Sequence, residues 1–446
     1  MPETIPFTPL EEMTHHLDRK FEAWNMQGEI ESTGTVDVER LEEAMLTAID
    51  YHPLAGARRR PSNLTDSRYE WVLPDEPEPP EVEVVDSGDI DLRAARNRVY
   101  GETFDLTEES PFRVLVYRGG GIDGGDHVLQ STSHVAGDGI GTLRFANAVW
   151  TAYNGHTPIR DAVSLQESRS FLRDIEPSRV ADAVEAMDSL ARRARGTIAG
   201  PTGIAPDGGS DRDGWGYARR YLDPGPTARL VSERPEGVSV NDVLMAALHL
   251  TIAEWNADHG EVEARQSVLM PVNLRPDDWF RQVMAMYSMF ESIRTGRGDR
   301  RDPEATIRMV NRQTTKVKER DRARALYKAV TLMPEEIPVG LREQLPEIFR
   351  GPGRRLADTA ILTNLGNIPT YPSVGEDTEE KPWFSPPAWR GTPVGIGVAT
   401  LDGRVNLMAR YLLSKFDADG ADRFMDAYAA TIERLVEEVV PTMGLD

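Results

Sequence analysis

One short segment, residues 131–141 with the sequence STSHVAGDGIG, places a histidine, an aspartate and several glycines next to one another. His134 follows a predicted strand over residues 128–133, and Asp138 opens a predicted helix over residues 140–153, where capping and the helix dipole favour a carboxylate. The small residues let the backbone approach a ligand closely and leave N–H groups free near the helix N-terminus. An imidazole there is a base for an acceptor's proton, and the N–H groups are donors for a developing oxyanion. The segment is therefore suited to acyl transfer.

The same residues have two other interpretations. His134 can be an incidental residue between a strand and an N-capped helix. Gly137, Gly139 and Gly141 can belong to a nucleotide-binding loop, but Thr142 stands where the dinucleotide fingerprint requires glycine, and the P-loop lysine is absent. The sequence therefore disfavours the nucleotide loop and leaves the incidental histidine open.

The remaining histidines have simpler interpretations. His15 and His16 lie in polar surroundings and are expected to be exposed, whereas His52 is expected to cap a helix and His249 to lie in the core. The sequence contains neither an HExxH pattern nor two histidines four residues apart. No metal site is therefore expected.

Composition excludes several classes of protein. The 446 residues include no cysteine, which excludes disulfides, thiolate nucleophiles and cysteine-ligated metals. The net charge of −22 disfavours nucleic acid as a partner. No run of about 18 apolar residues could span a bilayer, and no signal peptide opens the chain, so we expect a cytoplasmic protein. Only six of the 51 basic residues are lysine, and this acidic, lysine-poor composition favours a halophilic habitat.

Alternating helical and strand patterns predict a mixed α/β fold. Residues 196–216 are rich in Gly, Pro, Asp and Ser and are predicted to link an N-terminal lobe, residues 1–195, to a C-terminal lobe, residues 217–446. No internal repeat of 20–50 residues is present, which disfavours solenoids and propellers.

The HxxxDG pattern of His134, Asp138 and Gly139 resembles the core of the HHxxxDG signature of the condensation-domain-like acyltransferase superfamily. Other segments follow in the order of that superfamily, including its wax ester synthase/diacylglycerol acyltransferase and alcohol acyltransferase branches. They are HPLAGAR at 52–58, FDLT at 104–107, SVNDVL at 239–244, PVNLR at 271–275 and TNLGN at 363–367.

The resemblance implies two similar chloramphenicol-acetyltransferase-like lobes that meet in a V around a central channel. It implies that His134 is the general base, that Gly139 contributes a backbone amide near the oxyanion, and that Asp138 is structural and pairs with an arginine. Arg275 is the candidate partner. Asn273 and Asn364 are candidates for binding substrate or bracing the channel.

The first histidine of the signature is replaced by Ser133, which favours the ester-forming branch over the peptide-forming branch. The resemblance implies an acyl donor that is a thioester of coenzyme A or of a carrier protein's phosphopantetheine arm, with no permanently bound cofactor. The resemblance also implies an alcohol or amine as the acceptor, and lipid metabolism and peripheral membrane contact are compatible with this. Residues 300–328 carry ten basic against four acidic side chains, which suit either phosphate and carrier-protein recognition or a solvated helix face. A non-catalytic binding relative is the alternative function.

Overall fold

The structure is a computed structural model. It describes residues 2–20, 22–175, 184, 201–210, 213–261, 264–279, 281–319, 324, 326–328, 331, 337–344, 357–368, 373–375 and 377–443. Within these ranges the fold is mixed α/β, as the sequence predicts. The strands are β1 (Glu3–Pro6), β2 (Asn25–Ser32), β3 (Arg58–Arg59), β4 (Glu70–Leu73), β5 (Val82–Asp86), β6 (Phe112–Arg118), β7 (His127–Ser133), β8 (Trp215–Leu222), β9 (Gln266–Asn273), β10 (Ser288–Thr295), β11 (Ala360–Asn367), β12 (Glu380–Ser385), β13 (Val394–Leu401) and β14 (Arg404–Leu412). The helices are α1 (Pro9–Lys20), α2 (Val38–Tyr51), α3 (Leu92–Tyr100), α4 (Gly139–Tyr153), α5 (Leu165–Ile175), α6 (Pro224–Ser232), α7 (Val240–Asp258), α8 (Pro303–Glu319), α9 (Val339–Arg342) and α10 (Ala418–Arg434).

The first large sheet has the strand order β12-β2-β7-β6-β5. Its strands alternate their side chains between two apolar layers because successive residues of a strand face opposite sides. Val116 and Val128 pack in the cluster that includes helices α2 and α4, whereas Leu115 and Leu129 pack on the other side with helix α3. This arrangement fixes the end of β7, where the HxxxDG segment begins.

The second large sheet has the order β10-β9-β11-β13-β14-β8 and combines parallel and antiparallel pairs. Helix α7 is buried over most of its length against this sheet, together with helix α10. It begins with a reciprocal capping box between Ser239 and Asp242, which satisfies two backbone N–H groups at the helix start.

Strand β12 crosses between the two halves of the sequence. It lies in the first sheet, where it pairs antiparallel with β2 from Glu380 opposite Ser32 to Ser385 opposite Gln27. The predicted linker also gives residues to a strand, because β8 begins at Trp215. The division into residues 1–195 and 217–446 stays a prediction. Among the described residues, no helix is both long and apolar enough to cross a membrane.

Candidate active site

His134 lies in the turn between strand β7 and helix α4. Its backbone N–H donates to the carbonyl oxygen of Trp24 at 3.1 Å, and the N–H of Trp24 donates to Oδ1 of Asp18 at 2.6 Å. These bonds connect the turn to the residue just before β2 and to the last turns of helix α1. The backbone position of His134 is therefore held from a second element of the fold.

The ring of His134 is fixed by a contact with its own turn. Nδ1 lies 3.0 Å from the carbonyl oxygen of Gly137. Because a carbonyl oxygen only accepts hydrogen bonds, Nδ1 must carry the proton, and Nε2 of the neutral ring then carries the lone pair. The residue is half-buried, and Nε2 forms no hydrogen bond within the described ranges. The geometry leaves the basic nitrogen available.

Burial lowers the pKa of His134, although the charge of Asp138 and the carbonyl of Gly137 oppose that shift. The charged imidazolium loses solvation inside the protein, so the neutral ring is favoured. At neutral pH, His134 is therefore in the protonation state that accepts a proton.

Asp138 is the N-cap of helix α4, and Oδ1 accepts from the N–H of Gly141 at 2.9 Å. Arg275 binds the same carboxylate with two hydrogen bonds, Nη1 to Oδ2 at 2.6 Å and Nη2 to Oδ1 at 3.0 Å. The N–H of Tyr287 adds a third donor at 3.0 Å. Burial would raise the pKa of Asp138, but the positive charge of Arg275 and these donors outweigh it and lower the pKa. Asp138 is therefore a buried, ionised and fully bonded carboxylate.

Arg275 is also held by groups other than Asp138. Nη2 donates to the carbonyl oxygens of Val283 at 3.1 Å and Ala285 at 2.7 Å. Oδ1 of Asn273 accepts from both the backbone N–H and Nη1 of Arg275, each at 3.1 Å. The side-chain oxygen of Asn273 is thus used to orient Arg275, and substrate binding by Asn273 stays a prediction.

Gly139 is the first residue of helix α4, so its backbone N–H has no intrahelical acceptor. It is closely surrounded: a Cβ at this position would lie 2.9 Å from Cδ2 of Leu365, 3.2 Å from Cε of Met26 and 3.5 Å from Cζ of Phe384. These three side chains come from β11, β2 and β12, and form a small buried cluster. The start of helix α4 therefore lies where both large sheets meet.

The side chains of Asn364 and Ser133 both accept hydrogen bonds from nearby backbone N–H groups. Oδ1 of the half-buried Asn364 accepts from the N–H of Gly366 at 2.8 Å, which stabilises the end of β11, so its predicted contact with substrate stays untested. Ser133 is fully buried at the end of β7 and accepts from the N–H of Val135 at 3.4 Å. The residue in place of the first signature histidine is therefore a packed serine.

No protein-family model matches the sequence. Two proteins of Mycobacterium tuberculosis, the uncharacterised proteins Rv2305 (strain ATCC 25618 / H37Rv) and MT2362 (strain CDC 1551 / Oshkosh), are each 31% identical to it over 449 residues. The similarity covers 97% of this chain and 100% of each relative. The chain belongs to the same family as these two mycobacterial proteins.

Solved structures identify the fold of this family member. The EpoB cyclization-docking bidomain from Sorangium cellulosum has a TM-score of 0.68 at 16% identity and covers 99% of this chain and 88% of its own. The epimerization domain from the third module of tyrocidine synthetase B has a TM-score of 0.65 at 13% identity, covering 99% and 98%. The condensation domain of the Monacolin K polyketide synthase MokA has a TM-score of 0.62 at 13% identity, covering 98% of both chains. The predicted condensation-domain-like fold is confirmed.

The basic segment is described only in part, because residues 320–323 and 325 lie outside the described ranges. Arg300 is buried, and its Nη1 donates to the carbonyl and hydroxyl oxygens of Thr295 at 2.6 and 2.7 Å. Arg308 pairs with Glu304 on the surface of helix α8. Recognition of phosphates or a carrier protein by this segment stays a prediction.

Sequence reasoning missed several buried polar residues. The sequence predicts that His15 and His16 are exposed, which is wrong: they are 4% and 6% exposed, because helix α1 packs their rings beside Tyr69. Burial raises the pKa of Asp18 to about 7. The spacing of Leu10, Thr14 and Asp18 along one side of helix α1 was the available signal, but its polar members concealed a buried face. No cluster of three potential metal-ligating side chains occurs among the described residues.

Proposed function

We propose that this protein is an acyltransferase that moves an acyl group from a thioester to an alcohol or amine, with His134 as the general base. The observation that carries the proposal is the hydrogen bond from Nδ1 of His134 to the carbonyl oxygen of Gly137. This bond selects the tautomer whose Nε2 accepts a proton, and burial lowers the pKa so that the ring is neutral near pH 7.

In the proposed reaction, Nε2 of His134 removes the proton of the acceptor's hydroxyl or amine as that atom attacks the thioester carbonyl. The carbonyl oxygen becomes an oxyanion, for which the N–H of Gly139 is the proposed donor. The tetrahedral intermediate then expels the thiolate, which takes the proton from the imidazolium. The products are an ester or amide and a free thiol, and His134 returns to its neutral form.

Asp138 and Arg275 act in this proposal as positioning residues. The carboxylate accepts from Arg275, Gly141 and Tyr287, so it has little capacity left to accept a substrate proton. Its bond to Gly141 fixes the first turn of helix α4, which carries Gly139. The pair therefore orients the proposed oxyanion donor.

The donor in this proposal is a thioester of coenzyme A or of a carrier protein's phosphopantetheine arm. The fold supports a thioester in kind, because similar structures include condensation and cyclization domains of peptide and polyketide synthases. The donor arrives as a co-substrate and leaves as a thiol, so no permanently bound cofactor is required. The free thiol is also a direct measure of turnover.

The test is thiol release by the wild-type chain and by His134→Ala, with acyl-CoA and acyl-carrier-protein donors and a panel of alcohols and amines. We expect His134→Ala to lower kcat/KM by about 10²–10⁴-fold. The matched control is His156→Ala, because His156 is exposed just after helix α4 and has no proposed role. Thermal unfolding of both variants checks that they are folded. Equal activity of His134→Ala and the wild type would contradict the general-base role.

A non-catalytic binding protein is the second candidate function. Ser133 in place of the first signature histidine leaves room for it. The similarity to the X-domain from teicoplanin biosynthesis, whose structure is also known in complex with OxyB, favours it. The two functions differ in one measurement: a binding relative retains donor or partner affinity but releases no thiol with any acceptor. Release of thiol that depends on His134 would exclude it.

A further inference from the structure

A small pocket separate from the turn of His134 lies between helix α1, the loop after β3 and helix α9. Its volume is about 150 Å³, and its walls include His15, Arg19, Arg59, Tyr69, Gly340 and Glu343. We call it the Arg59 pocket. It has room for a compact group of a few heavy atoms but not for an acyl chain or a nucleotide.

The walls of the Arg59 pocket are held by specific contacts. The N–H of Val339 donates to the carbonyl oxygen of Asp66 at 2.8 Å, which fastens helix α9 to the loop. A Cβ on Gly340 would lie 2.7 Å from Cδ2 of Leu64 and 3.0 Å from its carbonyl oxygen. The close approach of the two segments therefore requires glycine, and the pocket is a built feature of the fold.

Arg59 brings a buried positive charge to this pocket. It is 9% exposed, and Nη1 donates to the carbonyl oxygen of Arg60 at 3.1 Å and to Oγ of Ser62 at 3.0 Å. Nε is buried without a hydrogen-bond partner, and no carboxylate forms an ion pair with Arg59 in the described part of the chain. Burying a charge is costly unless it is paired, so the guanidinium favours an anion beside it.

His15 adds a second unsatisfied polar group. It is 4% exposed, and its Nδ1 is buried with no hydrogen-bond partner among the described residues. Burial lowers the pKa of His15 well below its usual range, and the charges of Arg59, His16 and Arg19 add to this effect. The ring is therefore neutral and lines the pocket without adding a charge.

The other charges of the pocket largely cancel. Glu343 lies 3.4 Å from Arg19 and 3.9 Å from Lys20, so its carboxylate is engaged on the side of helix α1. Arg19 is half exposed, and this pair is accessible to solvent. Among the described residues that line the pocket, Arg59 is therefore the charged side chain that forms no ion pair.

We propose that the Arg59 pocket binds a small oxyanion, a carboxylate or a phosphate group, which pairs with Arg59 beside the ring of His15. The pocket borders the loop that follows His134, because Tyr69 and Val339 pack in one apolar cluster with Val135 and Ala136. The binding itself does not depend on acyl transfer. Failure of the proposed reaction would leave this proposal unaffected.

The test is calorimetric titration of the wild-type chain with inorganic phosphate and, separately, with malonate, at constant ionic strength. The two arms distinguish a phosphate from a carboxylate ligand. We expect Arg59→Gln to raise the Kd of the anion that binds by about tenfold or more, because a hydrogen bond to a charged group contributes at least that much. The matched control is Arg60→Gln, since the neighbouring Arg60 is half exposed and already pairs with Glu70 at 3.0 Å. It should leave the Kd unchanged.

A measurement on the wild-type protein covers the case in which Arg59→Gln does not fold. The chain has eight histidines, so ring resonances can be followed individually by NMR during the same titrations. We expect the resonances of His15 to shift with the binding anion while those of the exposed His156 stay in place. Absence of binding by both anions, equal weakening by the two arginine variants, or an unmoved His15 would each overturn the proposal.

Discussion

Arg275 holds Asp138 by two hydrogen bonds, and this buried ion pair joins the start of helix α4 to the segment after β9. The two residues are 137 positions apart in the sequence. The contact therefore connects the segment with the histidine to the second half of the chain. We expect the ion pair to stabilise the folded site, whereas proton transfer in the proposed reaction depends on His134.

Asp138→Asn should destabilise the protein strongly. The change leaves the buried guanidinium of Arg275 without its counter-charge, which typically costs about 3–5 kcal/mol of the free energy of unfolding. Urea denaturation measures this loss. The control is Glu304→Gln, which removes one partner of the exposed pair with Arg308 and should cost less than about 1 kcal/mol. Similar losses for the two variants would show that the buried pair is no stronger than a surface one.

The pH dependence of activity should report the lowered pKa of His134. A general base works in its neutral form, so kcat/KM should fall as the pH falls through the pKa of the folded ring, with a midpoint below the ordinary value of about 6.5. The free energy of unfolding should also decrease as the pH falls. Below about pH 6.5 the unfolded ring binds a proton, whereas the folded ring, with its lower pKa, stays neutral.

Asp18 requires a control in that profile, because burial raises its pKa to about 7 and it reaches His134 through Trp24. The profile is therefore repeated with Asp18→Asn, whose amide oxygen can still accept from Trp24. If kcat/KM decreases with a midpoint below pH 6.5 in both proteins, the titrating group is His134. A midpoint above pH 6.5, or a decrease that Asp18→Asn abolishes, would contradict that assignment.

Local patterns were enough to predict the elements around the site. The apolar periodicity of residues 140–153 and the Asp-Gly pair before them predict helix α4 and its cap, which the structure has at Gly139–Tyr153 with Asp138 as N-cap. The crossing of β12 could not be predicted in this way. Its pairing with β2 joins residues about 350 positions apart, such as Glu380 and Ser32, and no local propensity encodes a partner at that distance.

The burial of charged side chains could not be predicted either, because their partners are distant in the sequence. Glu29 in β2 is fully buried, but only the folded structure brings Arg96 from helix α3 and His127 from β7 to its carboxylate. Sequence alone shows a glutamate in a strand and gives no sign of its partners. A charged residue such as Glu29 is therefore expected at the surface when its partners are not known.

Glu29→Gln should cost about 3–5 kcal/mol at neutral pH, because Arg96 then stays buried without a counter-charge. Burial alone would raise the pKa of Glu29, but Arg96 and His127 outweigh it and hold the pKa well below its usual range. The stabilisation is therefore present above about pH 4.3, the ordinary pKa of glutamate, and is lost as the pH falls toward the lower pKa of the folded state. Denaturation at pH 7 and at pH 3 measures the difference.

The control for Glu29 is Glu83→Gln in β5, which removes the exposed partner of Arg98. Arg98 lies on the same helix α3 as Arg96. Its cost should be within about 1 kcal/mol at either pH. A loss for Glu29→Gln that is as small, or one that does not diminish at pH 3, would contradict the buried network.

Gly141→Ala should destabilise the junction at the start of helix α4, although alanine is the better helix former. A Cβ on Gly141 would lie 3.0 Å from the carbonyl oxygen and 3.1 Å from the nitrogen of Ala285, whose carbonyl accepts from Arg275. These are backbone atoms, so they cannot move aside as a side-chain end can. The helix preference for alanine contributes only about 0.5–1 kcal/mol, and we expect the steric cost to exceed it.

Gly137→Ala is the matched control, because its Cβ would meet nothing closer than 3.6 Å, and it should be neutral or slightly stabilising. Urea denaturation of the two variants compares them directly, and a Gly141→Ala protein as stable as Gly137→Ala would show that the contact with Ala285 relaxes without cost.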